Sequence, residues 1–152
     1  MNRSASVFAA LIRTHHITSR KKLARVKKAA ALYELQVLVR SGGSPGIMYA
    51  EGTDEIAVSN WVNGVQALRY KDFQCVQKPA AHSIRVAGHT SEAGFEEVAS
   101  VAEFGERMEK RGLGNWWKIG SKYHLNVINN ASSPSDKNGC RTAPRHAYNL
   151  HD

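Results

Sequence analysis

The amino-terminal half of the chain switches between strand-like and helix-like spacing of its apolar residues. Residues 6–17 follow a period of two, which is typical of a strand with two different faces. One face of this strand carries Phe8, Ala10 and Ile12, and the other carries Ala9, Leu11, Arg13 and His15. Residues 20–35 then follow helical spacing after a predicted N-cap at Thr18 or Ser19. This helix is predicted to bury Leu23, Val26, Ala30 and Tyr33.

The next elements complete a known order of strands and helices. Short apolar runs predict strands over residues 37–40 and 47–51, joined by a turn that is rich in Gly and Ser. A second helix begins near Gly52 and Thr53, and a fourth strand over residues 72–77 ends before Pro79. The order strand, helix, strand, strand, helix, strand is that of the ferredoxin-like split βαβ sandwich. Right-handed crossovers place both helices on one face of an antiparallel sheet, and the other face is open unless a further element covers it.

A second section follows this pattern. Residues 83–87 and 95–99 are predicted strands, and Ser100 forms a capping box with Glu103 at the start of a helix that Gly112 ends. We therefore expect an α+β protein with one ferredoxin-like domain over residues 1–128, which includes an additional carboxy-terminal strand and helix. Residues 129–152 are rich in Asn, Ser, Pro and charge, have no period, and are predicted to be a disordered tail.

The excess positive charge lies in the first quarter of the chain. The net charge is +8, and the first 40 residues carry nine basic residues against one acidic residue, whereas the other 112 carry 12 of each sign. Such asymmetry favours a polyanionic partner, nucleic acid before an acidic membrane surface. The alternative is a solvated helix face that aids solubility. The residues expected to contact phosphate are Arg13, His15, Lys21, Lys22, Arg25, Lys28, Arg40, Arg69 and Lys71.

No motif in the sequence indicates catalysis. The chain has no GxSxG elbow, and its Gly-rich turn lacks the Lys-Ser/Thr pair of a phosphate-binding loop. His15 and His16 are adjacent, so a strand would point them to opposite faces, and no other ligands lie at metal-binding spacing. We therefore expect no enzymatic activity, no cofactor and no metal. A small-molecule site is a third hypothesis, which an apolar pocket with convergent polar groups would support.

Cysteine spacing and hydropathy bear on the compartment. Cys75 and Cys140 are far apart and belong to no ligand cluster, which predicts two free thiols in a reducing compartment. No apolar run approaches the roughly 18 residues that span a bilayer. The expected location is intracellular, either cytoplasmic or nuclear. A mitochondrial presequence is a further alternative, because no acidic residue precedes Glu34, and residues 1–12 are then a cleavable leader instead of a strand.

Several short motifs together resemble a known family. They are His15-His16-Ile17, Pro45-Gly46-Ile47, Glu51-Gly52, Trp61, the segment Leu68 to Phe73, Phe95-Glu96-Glu97 and the helix that contains Gly105. Their order over residues 7–119 is similar to a small domain at the carboxy-terminus of RWD-domain-containing proteins and of a tri-snRNP splicing factor. The resemblance implies a ferredoxin-like fold without enzymatic activity, and in the splicing factor this domain binds small nuclear RNA. The matching residues Pro45, Gly46, Glu51, Gly52 and Trp61 are as easily structural as functional.

Two functions follow from these observations. The first is a non-enzymatic RNA-binding or RNA-associated module that contacts phosphate through its basic first helix. Base stacking on the sheet is not expected, because the third strand offers only Tyr49 as an aromatic platform. The alternative is a protein–protein interaction module that docks an unknown partner on the open sheet face or on the Trp116-Trp117 segment.

Overall fold

The first strand, which carries apolar residues on both of its faces, lies inside a five-stranded sheet. The computed structural model describes residues 2–87 and 94–120 of the chain. The strands are β1 (Asn2–Thr14), β2 (Gln36–Arg40), β3 (Gly46–Gly52), β4 (Gln74–Ala87) and β5 (Phe95–Val98). The helices are α1 (Arg20–Leu32), α2 (Glu55–Gln66), α3 (Val101–Lys110) and α4 (114–120), where the described chain ends. None of these helices is long and apolar enough to cross a membrane.

The topology of the sheet confirms the predicted fold class. The strand order is β4-β1-β3-β2-β5. β1 pairs antiparallel with β3 and β4, β2 pairs antiparallel with β3, and β2 and β5 pair in parallel. The first four strands with α1 and α2 form a ferredoxin-like split βαβ sandwich. β5 extends the β2 edge of this α+β fold as the additional strand.

The first face of the sheet is covered by α1 and α2, as predicted. The buried residues of this layer include Leu23, Val26 and Ala30 of α1, Val58, Trp61 and Val65 of α2, and Ala10 and Ile12 of β1. Trp61 is fully buried. A Cβ at Gly46 would collide with the side chains of Thr14 and Ile17, so only glycine fits this close approach. Gly46 and Trp61, which belong to the motifs of the family resemblance, therefore have structural roles.

The second face of the sheet is also covered, so the expectation of an open face is wrong within the described residues. Its core consists mainly of Leu11, Leu38, Ile47 and Tyr49 from the sheet with Phe104, Met108, Leu113 and Trp117 from the carboxy-terminal section. Ser100 caps α3 as predicted, since its Oγ accepts a hydrogen bond from the backbone N of Glu103 at 3.0 Å, but the Glu103 carboxylate accepts from the backbone N of Ala99 at 3.4 Å and not from that of Ser100. The apolar stripe of α3 then packs against this sheet face, because the contact removes the apolar surfaces of both the helix and the sheet from water.

β4 is longer than the sequence predicts. Residues 74–87 form one strand, so the predicted end before Pro79 and the separate strand at 83–87 are wrong. The β1–β4 register shifts between Ala9 and Leu11, which indicates a bulge in β4 near Pro79. β4 is an edge strand, where a proline can be accommodated without loss of a ladder hydrogen bond.

The sulfur of Cys75 in β4 belongs to a disulfide. The prediction of two free thiols is therefore wrong. The cysteines no longer support a reducing compartment, because disulfides persist mainly in oxidising compartments. Linear spacing did not reveal this bond, since a disulfide depends on neighbours in space. Cys140 and the predicted tail at 129–152 lie outside the described residues.

We expect Phe104→Ala to lower the free energy of unfolding by about 3–5 kcal/mol. The Phe104 side chain is fully buried on the second sheet face, so its truncation leaves a cavity. Leu32→Ala is the control, because Leu32 is 71% exposed, and it should change stability by less than about 0.5 kcal/mol. Urea denaturation measures both variants, and equal effects would contradict the covered face.

Candidate nucleic-acid interface

α1 presents a row of cations on its solvent side. Lys21, Arg25 and Lys28 are exposed, and their spacing places them on one face of the helix. Ser19 caps the helix by accepting a hydrogen bond from the backbone N of Lys22 at 3.2 Å, and the first turn holds no acidic residue. None of the three exposed cations forms an ion pair within the part of the chain that the structure describes. The row can therefore meet an external anion.

The turn between α2 and β4 continues this positive charge. Lys22 Nζ donates to the carbonyl oxygen of Arg69 at 3.4 Å and lies 5.2 Å from the centre of the Tyr70 ring. The carbonyl oxygen of Lys71 accepts a hydrogen bond from the backbone N of His15 at 2.8 Å. These contacts bring the turn at residues 69–71 and the segment at His15 to the amino-terminal end of α1. We call the resulting set the α1 basic surface: His15, Lys21, Lys22, Arg25, Lys28, Arg69 and Lys71.

The other two predicted residues, Arg13 and Arg40, lie on the opposite face of the sheet. Both are cross-strand neighbours of Ile47, which belongs to the core beneath α3 and α4. Arg40 donates from Nε to the carbonyl oxygen of Ala99 at 3.1 Å and from Nη1 to that of Pro45 at 2.9 Å. The structure does not bring these two residues to the α1 basic surface, because the pleat of the strands sends their side chains away from α1.

Two basic residues of α1 outside the predicted set are directed towards β5. Arg20 donates to both carboxylate oxygens of Glu97, at 2.8 and 3.1 Å. Lys27 Nζ lies 6.0 Å from the centre of the Phe95 ring. The hydrogen bond from Arg20, followed by that from Ser41, lowers the pKa of Glu97. Of these two residues only Arg20 forms an ion pair, with Glu97, whereas Lys21, Arg25 and Lys28 have no ion-pair partner among the described residues.

His15 and His16 lie side by side, so the predicted orientation to opposite faces is wrong. β1 ends at Thr14, and the alternation of a strand no longer applies to the two histidines. Their Nδ1 atoms are 2.6 Å apart, which requires one ring to donate and the other to accept. The described residues contain no group of three or more His, Cys, Asp or Glu side chains that could hold a metal ion.

The sheet face that would stack bases in an RNA-recognition module is occupied by a buried polar cluster. Tyr49 is fully buried, and its hydroxyl donates to Glu51 Oε1 at 2.5 Å. Arg111 Nε donates to the same oxygen at 3.1 Å. The Trp116 ring packs edge-on against Tyr49, with 5.9 Å between the ring centres. These contacts fasten the carboxy-terminal section onto β3 and exclude stacking of a base on Tyr49 in this conformation.

Comparisons with known proteins add little to this geometry. The chain matches no protein-family model and no curated protein. Among solved structures, it is similar to acylphosphatase from Bacillus subtilis, with 13% sequence identity and a TM-score of 0.39 over 60% of this chain and 98% of that chain. A similarity of this degree carries no argument about function. The resemblance to the RWD-associated domain stays a prediction.

We expect Tyr49→Phe and Tyr70→Phe to differ in their effects on stability. Tyr49→Phe removes a hydrogen bond to a buried carboxylate, so the free energy of unfolding should fall by about 1.5–3 kcal/mol. The Tyr70 hydroxyl is buried without a hydrogen-bond partner, and burial raises its pKa to about 12. Its removal should leave stability unchanged or higher, since no hydrogen bond is lost. Urea denaturation tests the pair, and equal losses would contradict the assigned contacts.

Proposed function

We propose that the chain is a non-enzymatic RNA-binding module whose α1 basic surface contacts the phosphate backbone. The observation that carries this proposal is the exposed row of Lys21, Arg25 and Lys28, which has no ion-pair partner among the described residues. Cations on such a surface neutralise phosphates and release the counterions condensed on the nucleic acid. The affinity would then come mainly from charge and would depend strongly on salt.

The dimensions of the α1 basic surface suit a short stretch of RNA backbone. Lys21 and Lys28 are about 10 Å apart along the helix axis, from a rise of roughly 1.5 Å per residue. Lys22 lies in the first turn of α1, and Arg69 and Lys71 extend the charge beyond the amino-terminal end of the helix. Lysine ammonium groups on flexible stems can follow an irregular chain of phosphates. Single-stranded RNA lying along α1 is therefore the proposed ligand.

Binding through this surface should be insensitive to base sequence. Sequence readout in RNA requires exposed aromatic platforms or contacts to base edges. Tyr49 is buried, and the exposed side of α1 consists largely of cations and small residues. Phosphate contacts position a nucleic acid without reading its sequence. The resemblance to the splicing-factor domain supports RNA as the ligand class.

The protein-interaction alternative finds less support in the described surfaces, where Trp116 is the partly exposed residue of the Trp116-Trp117 segment. Within the described residues, the sheet face is covered by the carboxy-terminal section. Trp117 is buried in the same core, and Trp116 packs on Tyr49. Salt dependence separates the two functions, because docking through an apolar surface responds much less to salt than phosphate binding does.

Replacement of Lys21, Arg25 and Lys28 with Glu is expected to abolish binding of a short single-stranded RNA. The wild-type protein should show a slope of log affinity against log salt of about −2 or steeper, from three or more contacts at roughly 0.7 each. Fluorescence anisotropy between about 50 and 200 mM salt measures the affinity for RNA and its dependence on salt.

The matched control replaces Lys78, Arg85 and Lys110 with Glu. These residues are exposed, lie on β4 and α3, and give the same charge change with the same residue types. The control should keep most of its affinity, and circular dichroism verifies that both variants fold. Affinity that survives the α1 substitutions, or falls equally in both variants, would show that the assigned surface is wrong.

A further inference from the structure

A small apolar cavity lies between the second sheet face and the carboxy-terminal helices. Its volume is about 130 Å³. Leu11 and Ile47 of the sheet, Val101 of α3 and Trp117 of α4 line it, and Arg13 is the one charged residue among the described residues around it. An apolar cavity of about 150 Å³ in another protein holds benzene. The cavity therefore suits one ring or a short hydrocarbon chain.

The guanidinium of Arg13 has no partner at this cavity. Its side chain forms neither an ion pair nor a hydrogen bond with the described residues. The residue is partly buried, and this burial lowers its pKa. A cation that loses water without gaining a counter-ion is unfavourable. An anion bound beside Arg13 would remove this penalty.

A second guanidinium, that of Arg40, lies near this cavity without being one of its lining residues. Arg40 is on the other side of Ile47 from Arg13 in the sheet. It donates to the carbonyl oxygen of Pro45, which also lines the cavity, and to that of Ala99. Both acceptors are neutral, and Arg40 forms no ion pair among the described residues. Arg13 is thus the cation that lines the apolar cavity, and Arg40 adds positive charge nearby without an ion-pair partner among the described residues.

We propose that this cavity binds a small monocarboxylate, with an apolar ring or chain of about six carbon atoms between Leu11 and Trp117 and the carboxylate on Arg13. A guanidinium can donate to both oxygens of a carboxylate at once, which fixes the orientation of the ligand. The cavity walls remove the hydrocarbon part from water. Because Arg13 and α1 lie on opposite faces of the sheet, this site is separate from the proposed RNA surface.

Titration with benzoate, followed by amide and indole NMR signals at constant ionic strength, tests the site. Benzoate should shift the Trp117 indole and the Val101 and Gly120 amide signals saturably. Benzyl alcohol has a similar shape without the charge, and it should bind about tenfold more weakly or worse. Arg13→Gln should weaken benzoate binding by about tenfold or more, and Arg13→Lys, which keeps the charge but loses the fork, by less.

Two further variants complete the design. Val101→Phe fills the cavity from a position that is 37% exposed, so it should fold and exclude both probes. Lys21→Gln, on the opposite face, should leave benzoate affinity unchanged. Absence of saturable shifts with benzoate would overturn the proposal. Equal affinity for benzoate and benzyl alcohol, or benzoate binding that is unaltered in Arg13→Gln, would do so as well, since the guanidinium would then have no role.

Discussion

The burial of β1 on both faces is the constraint on which the rest of this structure depends. Its side chains enter two cores alternately, with Ala10 and Ile12 beneath α1 and α2 and with Ala9 and Leu11 beneath the carboxy-terminal section. Both of its edges are also paired, with β3 and β4. A slip of one residue would exchange the two faces and place every side chain in the wrong core. The register of β1 therefore determines which residues form the ferredoxin-like core. It also determines on which face of the sheet Arg13, near the carboxy-terminal end of β1, lies.

This register divides the basic residues of the first quarter into two environments. The α1 basic surface is solvated and lacks ion pairs among the described residues, which suits an extended polyanion. Arg13 and Arg40 lie instead on the other face beside an apolar cavity, where one small anion with a hydrocarbon part would fit. A count of charges along the chain treats these residues as one patch, but the pleat of the sheet separates them.

Local patterns predicted most of the elements, and the errors arose where distant contacts decide. Helical spacing placed Trp61 in the core, and Ser100 as an N-cap marked the start of α3 correctly. The alternation of β1 already put Arg13 on the face of Leu11, so its separation from α1 could be derived from the sequence. Whether the second face is covered depends on which surface the apolar stripe of α3 packs against. Whether Pro79 ends a strand depends on the position of that strand in the sheet, because an edge strand can accommodate a proline. Neither property is local, and the disulfide of Cys75 is not local either.

The most direct test of the RNA-binding account is an amide-shift NMR titration of the whole chain with a short single-stranded RNA and a short duplex at two salt concentrations. The account predicts shifts at Arg20–Lys28 and at the Arg69–Lys71 turn that fade at high salt, without shifts at Arg13 and Arg40. No shifts at low salt would mean that the α1 basic surface binds no RNA and is a solvated charged face. Shifts centred on the carboxy-terminal section instead would place the nucleic acid on the opposite face and contradict the account.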